Sequence, residues 1–459
     1  MNTRDTIIFH LDRNYLKPVR DPVWSNIYLS EELLKVIDSA PFRQLSRIKQ
    51  LGPSFLVYPG ATHTRLNHSL GVFHLAKRMI RTLLGFRSFD AMSLDGVKSF
   101  LCAALLHDLG HFPYTHSFKE LPLKEHETLT AELVQEEPLR TLLRDHVGVD
   151  PWSVAAIVDE SIPVSEGDEI IFFRSILSGA LDPDKLDYLN RDAYFCGVPY
   201  GLQDIDFILS RLRPDWQNGI ALEETGISAV ENLLFSKYLM YRAVYWHRTV
   251  RVATAMIKKA VHHAFEEGAV SPSDFYGLDD ELFYLRFGSN EQLPGYSLIH
   301  GVYNRRLYHP VWESAYRPED PLHAAAADLA FRSRLEAAVA HRLSGRVSRR
   351  VSPESVIIDV PERISFEAAF PGVRGGGLVP YPDSETVFTP HVVQDFTRTL
   401  RKMRLIVDPG IADSVGDGAE LIATAYADVG GAPDAGTPGA GAAPAATGET
   451  AIDPSHRLY

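Results

Sequence analysis

The stretch Leu105-Leu106-His107-Asp108-Leu109-Gly110-His111 sets an imidazole beside a carboxylate at the polar end of an apolar run over 97–106. The run predicts a buried helix, and Gly110 predicts its stop. On its own the His-Asp dipeptide needs no function, because a histidine at a helix C-terminus complements the helix dipole. Its company changes the reading. His111, His116 and His126 follow closely, and upstream His63 and His68 flank Arg65 in Ala61-Thr62-His63-Thr64-Arg65-Leu66-Asn67-His68. Neutral imidazole and ionised carboxylate both coordinate divalent first-row metals, so clustering of this kind points to a site more than to a requirement of the fold.

Working outward, the apolar positions Leu70, Phe73, Ala76, Ile80, Leu83 and Leu84 recur at helical spacing, which puts His68 in the first turn of a long amphipathic helix with Arg65 just before it. Short helices capped by Ser30 and opened by Pro41 precede it. Downstream, Asp182 can cap and Pro183 fits a first helical position, so a helix is expected from there to Gly197. Asp184, Tyr188 and Asp192 then share one stripe at i, i+4 and i+8, with Lys185 at its shoulder. An exposed charged face is the plain alternative. Against it, Leu186, Leu189 and Tyr194 leave no clean apolar face, as if the helix were packed on several sides. A third long helix is expected over 228–266, with Lys237, Tyr241 and Tyr245 again at helical spacing. Tyrosine stripes are usually core or interface, but here cations interleave with them, which also suits a nucleotide.

The 459 residues are 45% hydrophobic and 23% charged, an ordinary globular composition that can bury a large core. Two cysteines, Cys102 and Cys196, are too few for a disulfide framework and read as small core hydrophobes. No apolar run reaches membrane-spanning length and the start lacks a basic segment followed by an apolar one, so a cytoplasmic location and no membrane partner are expected. A formal net charge of −13 gives no basic field to draw in nucleic acid, the less expected partner, and an anionic substrate would need local cations in a pocket. The predicted fold is mainly α. A helical core spans 1–279, with an irregular N-terminal arm over 1–28. A smaller α+β lobe spans 280–428, with strands at 356–360 and 404–408 and a helix near 390–403. The Gly/Ala/Pro-rich tail over 429–459 cannot offset its ordering entropy and is expected to be disordered.

The order H…HD…D, supplied by His68, His107-Asp108 and Asp184, sits inside three longer strings: 58–72, 106–116 and 182–192. Together these resemble the HD-domain metal-dependent phosphohydrolases. More closely, they resemble the deoxynucleoside triphosphate triphosphohydrolases, both the bacterial dNTPases (the dGTPase family) and the vertebrate members with an added sterile-alpha-motif domain. The resemblance is strong over 20–270 and implies an HD-domain helical core.

It also implies one divalent metal, Fe, Mn, Mg or Zn, held by His68, His107, Asp108 and Asp184. His116 and His126, with His111 beside them, match the active-site histidines near the α-phosphate. One of them, His126 by preference, would protonate the leaving 5′-oxygen. Where the family often has an acidic residue to hold a catalytic histidine this chain has Lys119, so Glu120 or Glu125 is expected in that role. Arg65, Lys185 and Lys237 match phosphate contacts, and Gln50 and Asp192 match readers of the sugar 3′-hydroxyl. Leu51 and Tyr188 match residues that crowd the 2′ carbon, and Tyr245, with Tyr241 one turn earlier, matches the aromatics at the sugar.

The implied activity is hydrolysis of dNTPs to a deoxynucleoside and inorganic triphosphate. It would be carried by a homo-oligomer, a tetramer or larger, with a nucleotide as allosteric activator. Two rivals stand beside it. One is an HD-domain phosphohydrolase acting on another nucleotide phosphoester. The other is a nucleotide sensor or nucleic-acid binder on an HD scaffold, and the complete ligand set speaks against that.

Overall fold

The structure, a computed structural model, describes residues 3–86, 92–165, 167–216, 219–362, 364, 371–374, 377–381 and 386–430. Two compact units share the chain, and neither is one run of sequence. The first comprises Met1–Val250, Gly268–Asn290 and Glu367–Val392; the second comprises Arg251–Glu267, Glu291–Phe366 and Val393–Tyr459. The sequence pattern changes near 280. The division by structure is finer, since it returns 268–290 to the first unit and takes 251–267 into the second.

The first unit is helical, and its centre is the Leu94–Leu106 helix. Ser93 caps it by accepting from Gly96 N. Almost every residue from Gly96 to Leu106 is buried, which is why its sequence is a continuous apolar run and not a stripe. It lies against the Arg65–Leu83 and Pro151–Val158 helices, and Phe100 stacks on Phe173 at 5.1 Å. The Arg65–Leu83 helix starts where Thr64 and Asn67 form a reciprocal capping box, so its first turn is set locally. The Pro183–Cys196 helix follows its own signals. Asp182 accepts from Lys185 N at 2.6 Å, Pro183 occupies the first turn and Gly197 ends it.

Two expectations need correction. The N-terminal arm is ordered: it forms a helix, Thr3–Arg13, and an antiparallel hairpin of Lys17–Asp21 with Ser25–Leu29. Turn chemistry makes that hairpin. Asp21 Oδ1 accepts from the backbone of Val23 at 2.9 Å and Trp24 at 2.8 Å, and Ser25 takes a left-handed φ of 64°. The single helix expected over 228–266 is two, Ile227–Met240 and Arg248–Glu266, joined through a π-helical turn at Tyr241–Tyr245. Trp246 N reaches back to Tyr241 O at 2.8 Å, and that wider hydrogen bond interrupts the helical repeat. This unit also contains a four-stranded sheet in the order Leu212–Asp215, Gly219–Glu223, Pro371–Arg374, Gly377–Pro380.

The second unit has the expected α+β character. Val356–Asp359 and Lys402–Val407 pair antiparallel from Val356↔Val407 to Asp359↔Arg404, and His309–Ala315 covers the other edge of Lys402–Val407. The Leu329–Val347 and Gly418–Asp428 helices build the core with this sheet, through Phe331, Leu335, Val339, Leu405, Leu421 and Ile422. The helix expected near 390–403 is Pro390–Leu400. Beyond Gly430, the tail expected to be disordered lies outside the described residues.

Candidate active site

His68, His107 and Asp184 come from three different helices, and one ligand atom from each lies within 4.8 Å of the others. His68 is set by the capped first turn of its helix, His107 is the capping residue just after the apolar helix ends at Leu106, and Asp184 is in the first turn after Pro183. Asp108 joins them: its Oδ1 is 3.4 Å from His107 Nε2, and its Oδ2 is 3.9 Å from His68 Nε2. His68 Nε2 is 2.8 Å from Asp184 Oδ1. The four side chains predicted as metal ligands therefore converge.

Their chemistry fits a divalent cation. His107 Nε2 is buried with no hydrogen-bond partner, although carboxylate oxygens of Asp108 and Asp184 stand 3.4 and 3.8 Å away. Among the described residues, His68 meets the carboxylates of Asp108, Asp184 and Asp187; Arg65 pairs with Asp108, and Arg191 pairs with Asp187 and with Asp21. A divalent ion would add positive charge among these carboxylates. In the metal-free protein protons do so. Burial pulls His68 down, but hydrogen bonds to Asp184 and Asp187 outweigh it and push the imidazole up to about 10. His107 is likewise raised, against its burial, mainly by Asp108. Asp108 is opposed by burial too, yet Arg65 and the two histidines hold it down to about 2.

A second cluster abuts the first. His111, His116 and His126 also bring one ring nitrogen each within 4.8 Å. His111 Nε2 lies 2.8 Å from His116 Nε2, and the His111 and His126 rings are 3.9 Å apart. All three are pushed down by burial, His111 and His116 strongly, so they are neutral at neutral pH. His126 Nδ1 faces the Glu127 carboxylate at 3.1 Å, whereas Glu125 pairs with Lys119 at 3.7 Å. Glu127 is therefore an acidic neighbour of His126 that the sequence did not single out, and the expected Glu125 also brings a carboxylate oxygen within 4.8 Å of it. Gly110 makes this juxtaposition possible by close approach and not by a left-handed helix stop. A Cβ there would lie 2.7 Å from both Leu129 Cβ and Thr130 N, and Thr130 Oγ1 ties Gly110 N at 2.8 Å to His107 O at 3.0 Å.

The remaining predicted residues divide by what engages them. Gln50 is 2% exposed, and among the described residues neither its amide nitrogen nor its amide oxygen has a hydrogen-bond partner. Leu51, Tyr188, Lys237 and Tyr241 are buried, and Tyr188 and Tyr245 meet edge to face at 6.4 Å. Asp192 has both oxygens taken: His63 Nε2 reaches Oδ1 at 2.8 Å, and the Tyr245 hydroxyl donates to Oδ2 at 2.7 Å. Arg65 Nη1 donates to Asp108 Oδ2 at 2.8 Å. Lys185 Nζ donates to Gly179 O at 3.0 Å and Asp182 Oδ2 at 2.5 Å. Sequence reasoning missed Asp187, Arg191 and Asp21 altogether, and gave His63 no role. The available signal was Asp187 and Arg191 at i and i+4 on a helix with no clean apolar face.

Residues 65–188 match the HD domain family and residues 204–379 match the HD associated region. The chain carries an HD domain. That domain runs from Arg65 through Tyr188 and so encloses all four converging residues. The chain is 35% identical over 272 residues to the uncharacterized protein YwfO of Bacillus subtilis, covering 57% of this chain and 60% of that one. It is 27% identical over 282 residues to the human deoxynucleoside triphosphate triphosphohydrolase SAMHD1, covering 55% of this chain and 45% of that protein. It therefore spans less than two thirds of the length of either relative. A crystal structure of a hypothetical protein from Aquifex aeolicus shares the fold at a TM-score of 0.65 and 25% identity, over 90% of this chain and all of that one. Among the described residues, no helix is long and apolar enough to cross a membrane.

Proposed function

We propose that this HD-domain chain is a metal-dependent phosphohydrolase that cleaves deoxynucleoside triphosphates to a deoxynucleoside and inorganic triphosphate. The observation that carries the proposal is the meeting of His68, His107, Asp108 and Asp184, with His107 Nε2 buried between two carboxylates and, among the described residues, without a hydrogen bond. Similarity to SAMHD1 supports the choice of substrate, as does the buried, unpartnered Gln50 carboxamide, a donor and an acceptor left for a hydroxyl of the ligand.

A divalent cation held by the four ligands would neutralise charge at the α-phosphoryl group and make a water molecule more acidic. The other roles belong to the chain's own side chains. His126 is kept neutral by burial in the free protein. A polyanionic triphosphate entering beside it favours its protonation, and the proton is then delivered to the departing 5′-oxygen. His111 and His116, hydrogen-bonded to each other at 2.8 Å, fix the wall against which His126 stands. Asp184, Tyr188 and Asp192 lie along one side of one helix and would serve the metal, the sugar face and the sugar 3′-hydroxyl, the last through the lone pairs that His63 and Tyr245 leave on Asp192. Tyr188, fully buried, would crowd a ribose 2′-hydroxyl. The same reading carries a homo-oligomer of tetramer size or larger and a nucleotide activator, which light scattering with and without added dNTP would measure.

The test is incubation of Mn-loaded protein with each dNTP singly and in mixtures, and with each monophosphate, with products resolved by ion-exchange chromatography. Inorganic triphosphate from at least one dNTP is expected. Phosphate from a monophosphate, with no triphosphate from any dNTP or mixture, would sink the proposal.

A further inference from the structure

The metal site has a buried line of charge behind it that the reaction does not use. His68 Nδ1 donates to Asp187 Oδ2 at 2.8 Å. Asp187 also accepts from Arg191 Nε at 2.8 Å and Nη2 at 3.0 Å, and from the Trp24 indole nitrogen. Arg191 Nη1 then donates to Asp21 Oδ2 at 2.8 Å. Asp187 and Arg191 are fully buried and Asp21 is nearly so. Asp21 and Trp24 belong to the N-terminal hairpin, and Asp21 Oδ1 also holds that hairpin's turn.

Asp184 and Asp187 stand three residues apart on one helix, but their situations differ. Asp187 is saturated by four donors and faces the back of His68, so no lone pair is left for a cation. Asp184 keeps a side chain 28% exposed and faces Nε2, the other ring nitrogen. A carboxylate on Nδ1 fixes the tautomer, with the proton on Nδ1 and the Nε2 lone pair free for a metal, and it fixes the ring plane. A pair serving only the fold would satisfy Arg191 with one carboxylate. Two are present, and one is also bound to a metal-ligand histidine.

We infer that Asp187, Arg191 and Asp21 form a positioning line that orients His68 for a divalent cation, so that the N-terminal hairpin is part of the metal-binding machinery. The inference rests on the metal site of the proposed function but not on its substrate.

The experiment is calorimetric titration of Mn into the full chain, together with the visible spectrum of the Co-loaded protein, for wild type, Asp187→Asn, Asp21→Asn and Trp24→Phe. Circular dichroism and Tm serve as fold controls. Asp187→Asn is expected to weaken divalent binding about 10–100-fold and to shift the Co spectrum. Asp21→Asn, one bond further away, is expected to weaken it about 3–10-fold, with a double mutant short of the product of the two. Trp24→Phe keeps a ring in place, removes only one donor to Asp187, and is the readable variant if Asp187→Asn does not fold. A loss of Tm with Mn affinity within twofold of wild type across the folded variants would make the line a structural tether and overturn the inference, as would a wild-type chain that binds neither ion. Mn binding without hydrolysis of any dNTP would overturn the proposed substrate and leave the line standing.

Discussion

Replacing Gly110 by alanine tests whether the close approach of the His-Asp turn to the His126 helix organises the site. The added Cβ would stand 2.7 Å from Leu129 Cβ and Thr130 N and would collide with His126 O, about 0.7 Å or more inside the 3.4 Å of ordinary contact. Two of these three neighbours are backbone atoms of the His126–Val134 helix, so a side-chain rotation cannot relieve the overlap. The helix must move away, or the His107-Asp108 turn must. Overpacking of this kind costs about 1–3 kcal/mol, and in a domain of this size each kcal/mol lowers Tm by about 2–4 °C. The functional cost is larger. A displacement of nearly an ångström separates His126 from His111, whose rings now lie 3.9 Å apart, and strains the Thr130 Oγ1 tie to His107 O. Misplacement on that scale costs about 100-fold in rate. Scanning calorimetry and dNTP turnover on the same preparation check both numbers. Wild-type Tm and wild-type kcat in Gly110→Ala would show that the approach is slack and that His126 is not positioned by it.

Four further outcomes follow from the same geometry. In metal-free protein, the stability His68 contributes is fully present below its unfolded value near 6.5 and is lost as pH rises toward about 10. Tm should therefore fall across that window and recover with Mn, and a flat metal-free profile refutes the proton's stand-in role. On the acid side, Asp187, opposed by burial but held at about 2 mainly by Arg191, contributes about 2 kcal/mol above its ordinary 3.8. That contribution should disappear between about pH 4 and pH 2 and be absent from the urea-unfolding profile of Asp187→Asn. Mn at 100 times its dissociation constant should add about 2.7 kcal/mol of stability, and Asp184→Asn should abolish the gain; an undiminished gain would place the ion elsewhere. His63→Phe keeps the 4.6 Å stack on Phe195 and removes the donor to Asp192. Its preference for a dNTP over the 3′-deoxy analogue should drop about tenfold, whereas an equal loss on both substrates would reduce His63 to a core residue.

What was legible in the sequence is what local chemistry determines. Asp182, Pro183 and Gly197 delimit their helix without help from any other segment, and Thr64 with Asn67 starts the helix that carries His68. The continuous apolar run before His107 announced burial on all sides. The N-terminal hairpin was missed because its strands have five residues each, only the second alternates, and that through just Ile27 and Leu29, and an Asx turn holds them. The break at Tyr241–Tyr245 was missed because a π-helical turn retains every residue type that a helix tolerates.

The difference between Asp184 and Asp187 lies deeper. Nothing in their own helix separates a candidate ligand from a candidate positioner, since both are aspartates in the first two turns after Pro183. The distinction comes from Gly71, three residues after His68 on the facing helix. A Cβ at that position would strike the Asp187 carboxylate and the Arg191 guanidinium. Only with glycine there can Asp187 lie flat behind His68, which leaves Asp184 as the carboxylate that reaches Nε2. The assignment was therefore written in the chain, but at a residue with no side chain and in a segment more than a hundred residues away. Its meaning depends on which two helices touch.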